Sequence, residues 1–295
     1  MTEKQWLELT LTAHNDDEAL LLETALELSG ALAVTYQAAD EQEIFEPPIG
    51  TTPLWQTTKV TGLYDLQVDK SEVLSILKQS LGDNYPIGEH LLKDEDWVRA
   101  WLDYFQPIPF GKNFWVAATE HRIDEPNATV LRLDPGLAFG TGTHPSTAMC
   151  LSALVNHITL QDKTVYDYGS GSGILGIAAA LLGAEHVWQT DIDPQALQAG
   201  AENAEKNGVR DKITLCENPN DAPKVDILMA NILLEPLCVL RTQFEKHLHE
   251  KSVLYFAGLL ERQESVIREH YEEAYNIHRI DDKEGWILLE LHPKH

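Results

Sequence analysis

Basic residues are scarce in this sequence: 22 lysines and arginines stand against 47 aspartates and glutamates, a formal net charge of -25. A surface this acidic repels a phosphate backbone and attracts cationic surfaces over a Debye length, which disfavours nucleic acid as a direct substrate and favours a basic protein partner. Cysteine is nearly absent as well. Cys150, Cys216 and Cys238 are odd in number, far apart and set in apolar segments, so neither a disulfide framework nor a zinc knuckle is supported, and buried structural thiols are expected. No apolar run is long enough to span a bilayer, and Met1 to Trp6 lacks the basic-then-apolar layout of a signal peptide, so a cytoplasmic protein without a membrane partner is expected. Repeats and low-complexity tracts are missing too.

What is present falls into two differently patterned parts. Residues 5–12 alternate with period two, as a half-buried strand does. A helix follows, capped by Asn15 or Asp16, with Ala19, Leu22, Ala25 and Leu26 as its apolar stripe and Gly30 beyond its end. Strands are predicted over 31–38 and 57–68, a helix from Asp69 to Gly82, and a short strand over 86–92. The order strand, helix, strand, strand, helix, strand is the split βαβ pattern of a ferredoxin-like α+β domain, assigned to residues 1–92. Nothing in it carries chemistry, so recognition is its expected task. Residues 93–107 read as a helical connector, with Trp97, Trp101, Tyr104 and Phe105 at helical spacing for packing and Pro107-Ile108-Pro109 as its stop.

From residue 108 a second domain is expected to run to 295. Thr129 to Leu133 is an apolar run, and Asp134-Pro135-Gly136-Leu137-Ala138-Phe139-Gly140-Thr141-Gly142-Thr143-His144-Pro145 is an irregular loop leading into a helix over 146–157. Strands and helices then alternate: strands at 163–168, 186–191, 212–216, 225–230 and 252–257, helices at 172–182, 194–207, 235–248 and 260–273. Repeated βα units imply a parallel sheet covered by helices. Two last strands, 275–281 and 285–292, suggest a closing antiparallel hairpin through Asp282-Lys283-Glu284.

The chemistry centres on Tyr166-Asp167-Tyr168-Gly169-Ser170-Gly171-Ser172-Gly173-Ile174-Leu175-Gly176, a strand, a glycine turn and a helix start. Two ligand registers fit. Gly171 to Gly176 matches G-x-G-x-x-G, and Asp191 stands 20 residues beyond Gly171, where an acid takes a ribose hydroxyl of NAD. In the other register Asp167 holds a turn of Gly169, Gly171 and Gly173 that admits a nucleoside without phosphates, S-adenosylmethionine. Asp167 beside a pyrophosphate would be repulsive, whereas a sulfonium ligand tolerates it. Only about 120 residues follow the turn, too few for a second mononucleotide half and a substrate domain. The strand Val225 to Ala230 also delivers Asn231 to the sheet edge where Gly169 and Asp191 lie.

These residues, with Asp134 to His144, Asp191-Ile192-Asp193-Pro194 and Ala230-Asn231-Ile232-Leu233, resemble the ribosomal protein L-eleven methyltransferases, class I S-adenosylmethionine enzymes. The likeness covers essentially the whole chain, and the loop ending Phe139-Gly140-Thr141-Gly142 is its most specific part. Ser170 stands where that family usually has Cys or Thr. The resemblance implies an α/β fold: a Rossmann-like class I methyltransferase sheet with a closing antiparallel hairpin, behind the small ferredoxin-like domain. It implies cofactor contacts from Thr147, Gly169, Asp191 and Asn231, with Asp191 on the ribose hydroxyls, Phe139 closing over the nucleoside, and Gly171 and Thr141 completing the set.

The implied reaction is direct methyl transfer to lysine and N-terminal amines of a basic large-subunit ribosomal protein by a monomeric enzyme, with Asn231 orienting the amine. Asp193 is expected to cap the helix at Pro194. Other readings are a class I enzyme acting on another amine, a nicotinamide oxidoreductase and a silent binding module. A glutamine-modifying enzyme is disfavoured, because Ile-Leu-Leu follows Asn231 where Pro-Pro-Tyr would be expected. Separate calorimetric titrations distinguish the two registers: S-adenosylmethionine binds and NAD does not, and tight binding of NAD alone would overturn this assignment.

Overall fold

In the computed structural model the residues described are 5–39, 54–55, 57–82, 85–93, 105–133 and 141–294. The chain divides into two compact units, residues 1–100 and 101–295. Most of the expected connector, residues 94–104, lies outside the described residues. Among the described residues no helix is long and apolar enough to cross a membrane.

The first unit contains β1 (Gln5–Ala13), α1 (Asp16–Leu28), β2 (Ala33–Ala38), β3 (Thr58–Asp65), α2 (Lys70–Leu81) and β4 (Gly88–Lys93). The sheet order β2-β3-β1-β4, with every neighbour antiparallel, is the ferredoxin-like arrangement. Alternation in β1 sends Leu7, Leu9, Leu11 and Ala13 to one face, where they meet Leu22 and Leu26 of α1 and Val73 and Leu77 of α2. Asn15 caps α1 by accepting the Glu18 amide at 2.8 Å, and Asp69 caps α2 by accepting that of Ser71 at 2.9 Å.

The second unit opens with a sheet that the sequence pattern did not reveal: β5 (Ile108–Phe110), β6 (Phe114–Ala117) and β7 (Thr129–Arg132). Strands of three and four residues are too short to show a period. Then follow α3 (Pro145–Asn156), β8 (Thr164–Tyr168), α4 (Ile174–Leu181), β9 (His186–Thr190), α5 (Pro194–Lys206), β10 (Ile213–Leu215), β11 (Val225–Asn231), α6 (Leu234–Val239), α7 (Arg241–Glu245), β12 (Leu248–Leu260), α8 (Glu264–Tyr271), β13 (Tyr275–Lys283) and β14 (Trp286–Pro293). The seven-stranded order is β10-β9-β8-β11-β12-β14-β13, parallel as far as β12 and antiparallel at β14 and β13.

Three boundaries depart from the pattern reading. The helix expected over 235–248 is two short helices meeting at Leu240, because Leu237 and Phe244, both fully buried, reach one core from two segments as well as from one. β12 is longer than expected, since strands flank it on both sides. The hairpin turns at Glu284 and Gly285, whose φ values of 53° and 80° give the left-handed pair a tight antiparallel turn requires.

Successive strand residues serve opposite cores. Val165, Met229 and Tyr255 join α3 and α4 on one face, while Tyr166, Leu228 and Phe256 join α7 and α8 on the other. On this second face the rings run Tyr166, Tyr168, Phe244, Phe256, Tyr271 and Tyr275, with successive centroids 5.0–5.7 Å apart. Cys150 and Cys216 are buried free thiols and Cys238 is partly exposed. Phe244 sits mid-row and fully buried, so Phe244→Ala is expected to cost about 3–5 kcal/mol of stability, read as the shift in the urea midpoint.

Candidate active site

The strand order reverses between β8 and β11, and ligands of open α/β sheets sit at the carboxyl ends of strands flanking such a point. β8 ends at Tyr168 and the chain turns through Gly169, Gly171 and Gly173, all left-handed, with φ of 73°, 53° and 79°. A Cβ on Gly169 would also lie 2.4 Å from Cγ2 of Ile232, the residue after Asn231, so the turn and the end of β11 are in direct contact.

Beneath the turn lies Asp167, almost fully buried. Its Oδ2 accepts the Gly176 amide of α4 at 2.9 Å and the Gln189 Nε2 of β9 at 3.0 Å. The same Nε2 donates to the Gly173 carbonyl at 3.0 Å, and Asn203 of α5 donates to the Ser172 carbonyl at 2.9 Å. Burial pushes the Asp167 carboxyl up to about 6, against the Gln189 and Gly176 hydrogen bonds, which hold it down. The acid therefore acts as a brace under the turn and not as a charge facing a ligand.

Above the turn, β9 delivers Asp191. Its Oδ2 accepts the Gly171 amide at 2.8 Å and its Oδ1 the Asp193 amide at 3.0 Å, which aims the carboxylate along the rim and leaves each oxygen a further lone pair. Asp193 caps α5 by accepting the Gln195 amide at 2.9 Å. Between Asp191 and Asn231 opens a cleft of about 600 Å³, within the ~300–1,000 Å³ of small-molecule sites. Ile192, fully exposed, offers it a flat apolar wall, and Glu217 borders it. Among the described residues its lining contains no lysine or arginine, so none of them neutralises a pyrophosphate.

At the far end, Asn231 Nδ2 donates to Thr147 Oγ1 at 3.1 Å. Thr147 is buried in the first turn of α3, which is capped not by Ser146 but by His144, whose Nδ1 accepts the Ser146 amide at 3.3 Å. The His144 ring meets Trp286 of β14 edge-on at 4.6 Å.

Of the residues singled out in the sequence, Gly169, Gly171, Asp191 and Asn231 line this cleft together, and Thr147 reaches it through Asn231. Thr141 does not line it, and its hydroxyl pairs with that of Thr143 at 2.9 Å. Phe139, with residues 134–140, lies outside the described residues. Sequence reasoning missed Ile192, Glu217 and Gln189. Ile192 had a signal, an apolar residue between two aspartates just past a strand; Gln189 had none, because an amide in a buried strand looks like any other polar residue.

A mainly parallel seven-stranded sheet with an antiparallel strand inserted beside its edge, an acid under a glycine turn and a second acid closing the next strand define a class I methyltransferase. Comparison with known proteins narrows the class. Residues 5–294 match the family model described as ribosomal protein L11 methyltransferase (PrmA), and the chain belongs to that family. It is 66% identical over 291 residues, 99% of each chain, to the ribosomal protein L11 methyltransferase of Dichelobacter nodosus. It is 42% identical to that of Azotobacter vinelandii, covering 97% of this chain and 98% of the relative. A crystal structure of a ribosomal protein L11 methylase from Lactobacillus delbrueckii subsp. bulgaricus superposes with a TM-score of 0.59 at 32% identity, covering 65% of this chain and all of that one.

The raised Asp167 pKa has a sign that can be measured. The folded chain holds this proton more tightly than the unfolded chain, so the group's contribution to stability is complete below the ordinary carboxylate value of 3.8 and is lost as pH rises through about 6. The Tm of the wild type relative to Asp167→Asn is therefore expected to fall between about pH 4 and pH 7, and a carbon-13 carboxyl titration gives the midpoint directly.

Proposed function

We propose that this chain is a cytoplasmic enzyme that binds S-adenosylmethionine in the cleft between Asp191 and Asn231 and transfers its methyl group to amines of ribosomal protein L11, at lysine side chains and the N-terminus. The observation that carries the reading is a cleft with a backbone-aimed carboxylate at one end, a side-chain amide at the other and no cation among the described residues that line it. Asp191 suits two adjacent ribose hydroxyls, because each carboxylate oxygen keeps an acceptor site beyond its backbone partner. Ile192 suits the face of a purine ring. When bound, the cofactor supplies an electrophilic methyl on a cationic sulfur.

The residues of the chain have to align and not to activate. A lysine ammonium, with a pKa of about 10.4, must lose its proton before its lone pair is free. A neutral primary amine then has two N–H groups and one lone pair. The Asn231 amide oxygen and a neighbouring backbone carbonyl accept the N–H groups, which leaves the lone pair facing the methyl carbon. Held between Asp191 and Asn231, S-adenosylmethionine would supply the methyl group and keep the C–S electron pair as a neutral thioether, and the amine aligned by Asn231 would shed its surplus proton to water. The formal charge of -25 draws in a basic protein, and residues 1–92 serve as its recognition domain.

Methyl transfer from labelled S-adenosylmethionine to purified ribosomal protein L11 tests this reading, and absence of incorporation would sink it. Asp191→Ala is expected to weaken cofactor binding at least about tenfold by calorimetry, through loss of charge-assisted hydrogen bonds. Asn231→Ala is expected to bind the cofactor and lose about 10²-fold in kcat, through lost alignment.

A further inference from the structure

Strands of a parallel sheet covered on both faces are normally filled by aliphatic side chains, yet β9 carries a glutamine whose side chain is wholly out of solvent. Glycines make room for the amide of Gln189. A Cβ on Gly176 would lie 2.4 Å from its Nε2 and 3.0 Å from its Cδ, and one on Gly173 would lie 3.2 Å from Nε2 and 3.3 Å from Oε1. Gly173 needs to be glycine for its left-handed backbone in any case. Gly176 does not, because it lies in the regular helix α4, where alanine is the better residue. What requires glycine at 176 is the space that Gln189 takes. The third glycine of the G-x-G-x-x-G match therefore admits a side chain and carries no information about a dinucleotide.

The orientation of that amide is dictated by its neighbours. Asp167 Oδ2 and the Gly173 carbonyl are both acceptors, each 3.0 Å from Nε2, so the NH2 end must face them. Among the described residues, Oε1 has no hydrogen-bond partner. A leucine would fill the gap without burying an unpaired acceptor, so what sets glutamine apart here is the pair of hydrogen bonds it donates. The next two residues complete a clamp. The Thr190 carbonyl accepts the Gly169 and Ser170 amides at 2.8 and 3.0 Å, and Asp191 accepts that of Gly171 at 2.8 Å. Three consecutive residues thus hold the turn from Gly169 to Gly173.

We propose that Gln189 is a positioning residue for the methyl donor, which fixes the Gly173 end of the turn from beneath, and that position 176 is glycine in order to admit it. The inference rests on the cofactor reading given above. Asn231 meets the other end of the turn, through Ile232 against Gly169, so the effect of Gln189 falls on cofactor affinity and not on turnover.

Gln189→Leu fills the space and removes both donors. It is expected to raise the calorimetric Kd for S-adenosylmethionine about tenfold, and to leave kcat at saturating cofactor within about threefold with ribosomal protein L11 as acceptor. Gly176→Ala keeps the backbone amide but drives the Gln189 amide from its place, so the same rise in Kd is expected. In a Gln189→Ala background the space is vacant, and Gly176→Ala is expected to change Kd less than about twofold. This pair of measurements stands in for Gln189→Leu should that variant fold poorly.

A readout without cofactor or substrate is the carbon-13 titration of Asp167. Burial raises that carboxyl to about 6, and the Gln189 hydrogen bond holds it down. Among the described residues the other titratable groups acting on Asp167 are Asp191 of the rim and the Cys150 thiol of α3, which burial keeps neutral, and neither is altered by the substitutions. The midpoint is therefore expected to rise above the wild-type value in both Gln189→Leu and Gly176→Ala. An unchanged midpoint, or equal effects of Gly176→Ala with and without Gln189, would overturn the proposal. Wild type that binds S-adenosylmethionine no better than Gln189→Leu overturns it too and leaves the cofactor reading standing, whereas wild type that does not bind overturns both.

Discussion

The site depends on one buried carboxylate. Asp167 accepts hydrogen bonds from the first turn of α4 and from Gln189 on the neighbouring strand, and Gln189 in turn holds the carbonyl of Gly173. A left-handed glycine turn has no side chains to stiffen it, so its shape must be imposed from below, and a carboxylate with fixed donors does this without closing the space above. The Gly171 amide is thereby aimed at Asp191, and Asp191 in turn along the rim. Burying a charge is costly, and the raised pKa is the sign of that cost; two strong donors keep it from being prohibitive.

A second constraint works through absence of volume. Ile232 lies between the turn at Gly169 and the backbone at Gly258, positions where a methyl group would come within 2.4 and 2.5 Å of it. Strands β8, β11 and β12 are thus brought together at their carboxyl ends by contact as well as by ladder hydrogen bonds. The cleft is closely packed at its Asn231 end and bordered by the exposed Ile192.

Much of this could be read from the chain. Alternation in Gln5 to Thr12, caps at Asn15 and Asp193, and the βα rhythm after residue 163 each arise from local chemistry, so the elements follow from short windows. The turn at Gly169 and the acid at Asp191 were legible for the same reason, because both are needed locally whatever the rest of the chain does. The three short strands at 108–132 were not legible, since their pairing is decided by partners and not by period. Nor was the link from Asn231 to Thr147, 84 residues apart in sequence, or the place of Gln189 under the turn. Long-range side-chain hydrogen bonds leave no trace in spacing. Asp167 was recognised as part of the motif, but its reach downward to α4 and β9, and not outward to a ligand, became clear only from its burial.

The insertion of β14 between β12 and β13 also dictates an order of assembly. β13 precedes β14 in the chain yet, among the described strands, joins the sheet only through it, so β13 has no place in the sheet until residues 286–293 lie between it and β12. An exposed strand in a half-finished sheet invites pairing with another molecule. The segment that waits carries Arg279, Asp281, Asp282 and Lys283, charges of both signs on four of five consecutive positions. The strand that completes the fold last is guarded against aggregation by its own composition while it waits, and it keeps that guard afterwards as the outer edge of the finished sheet.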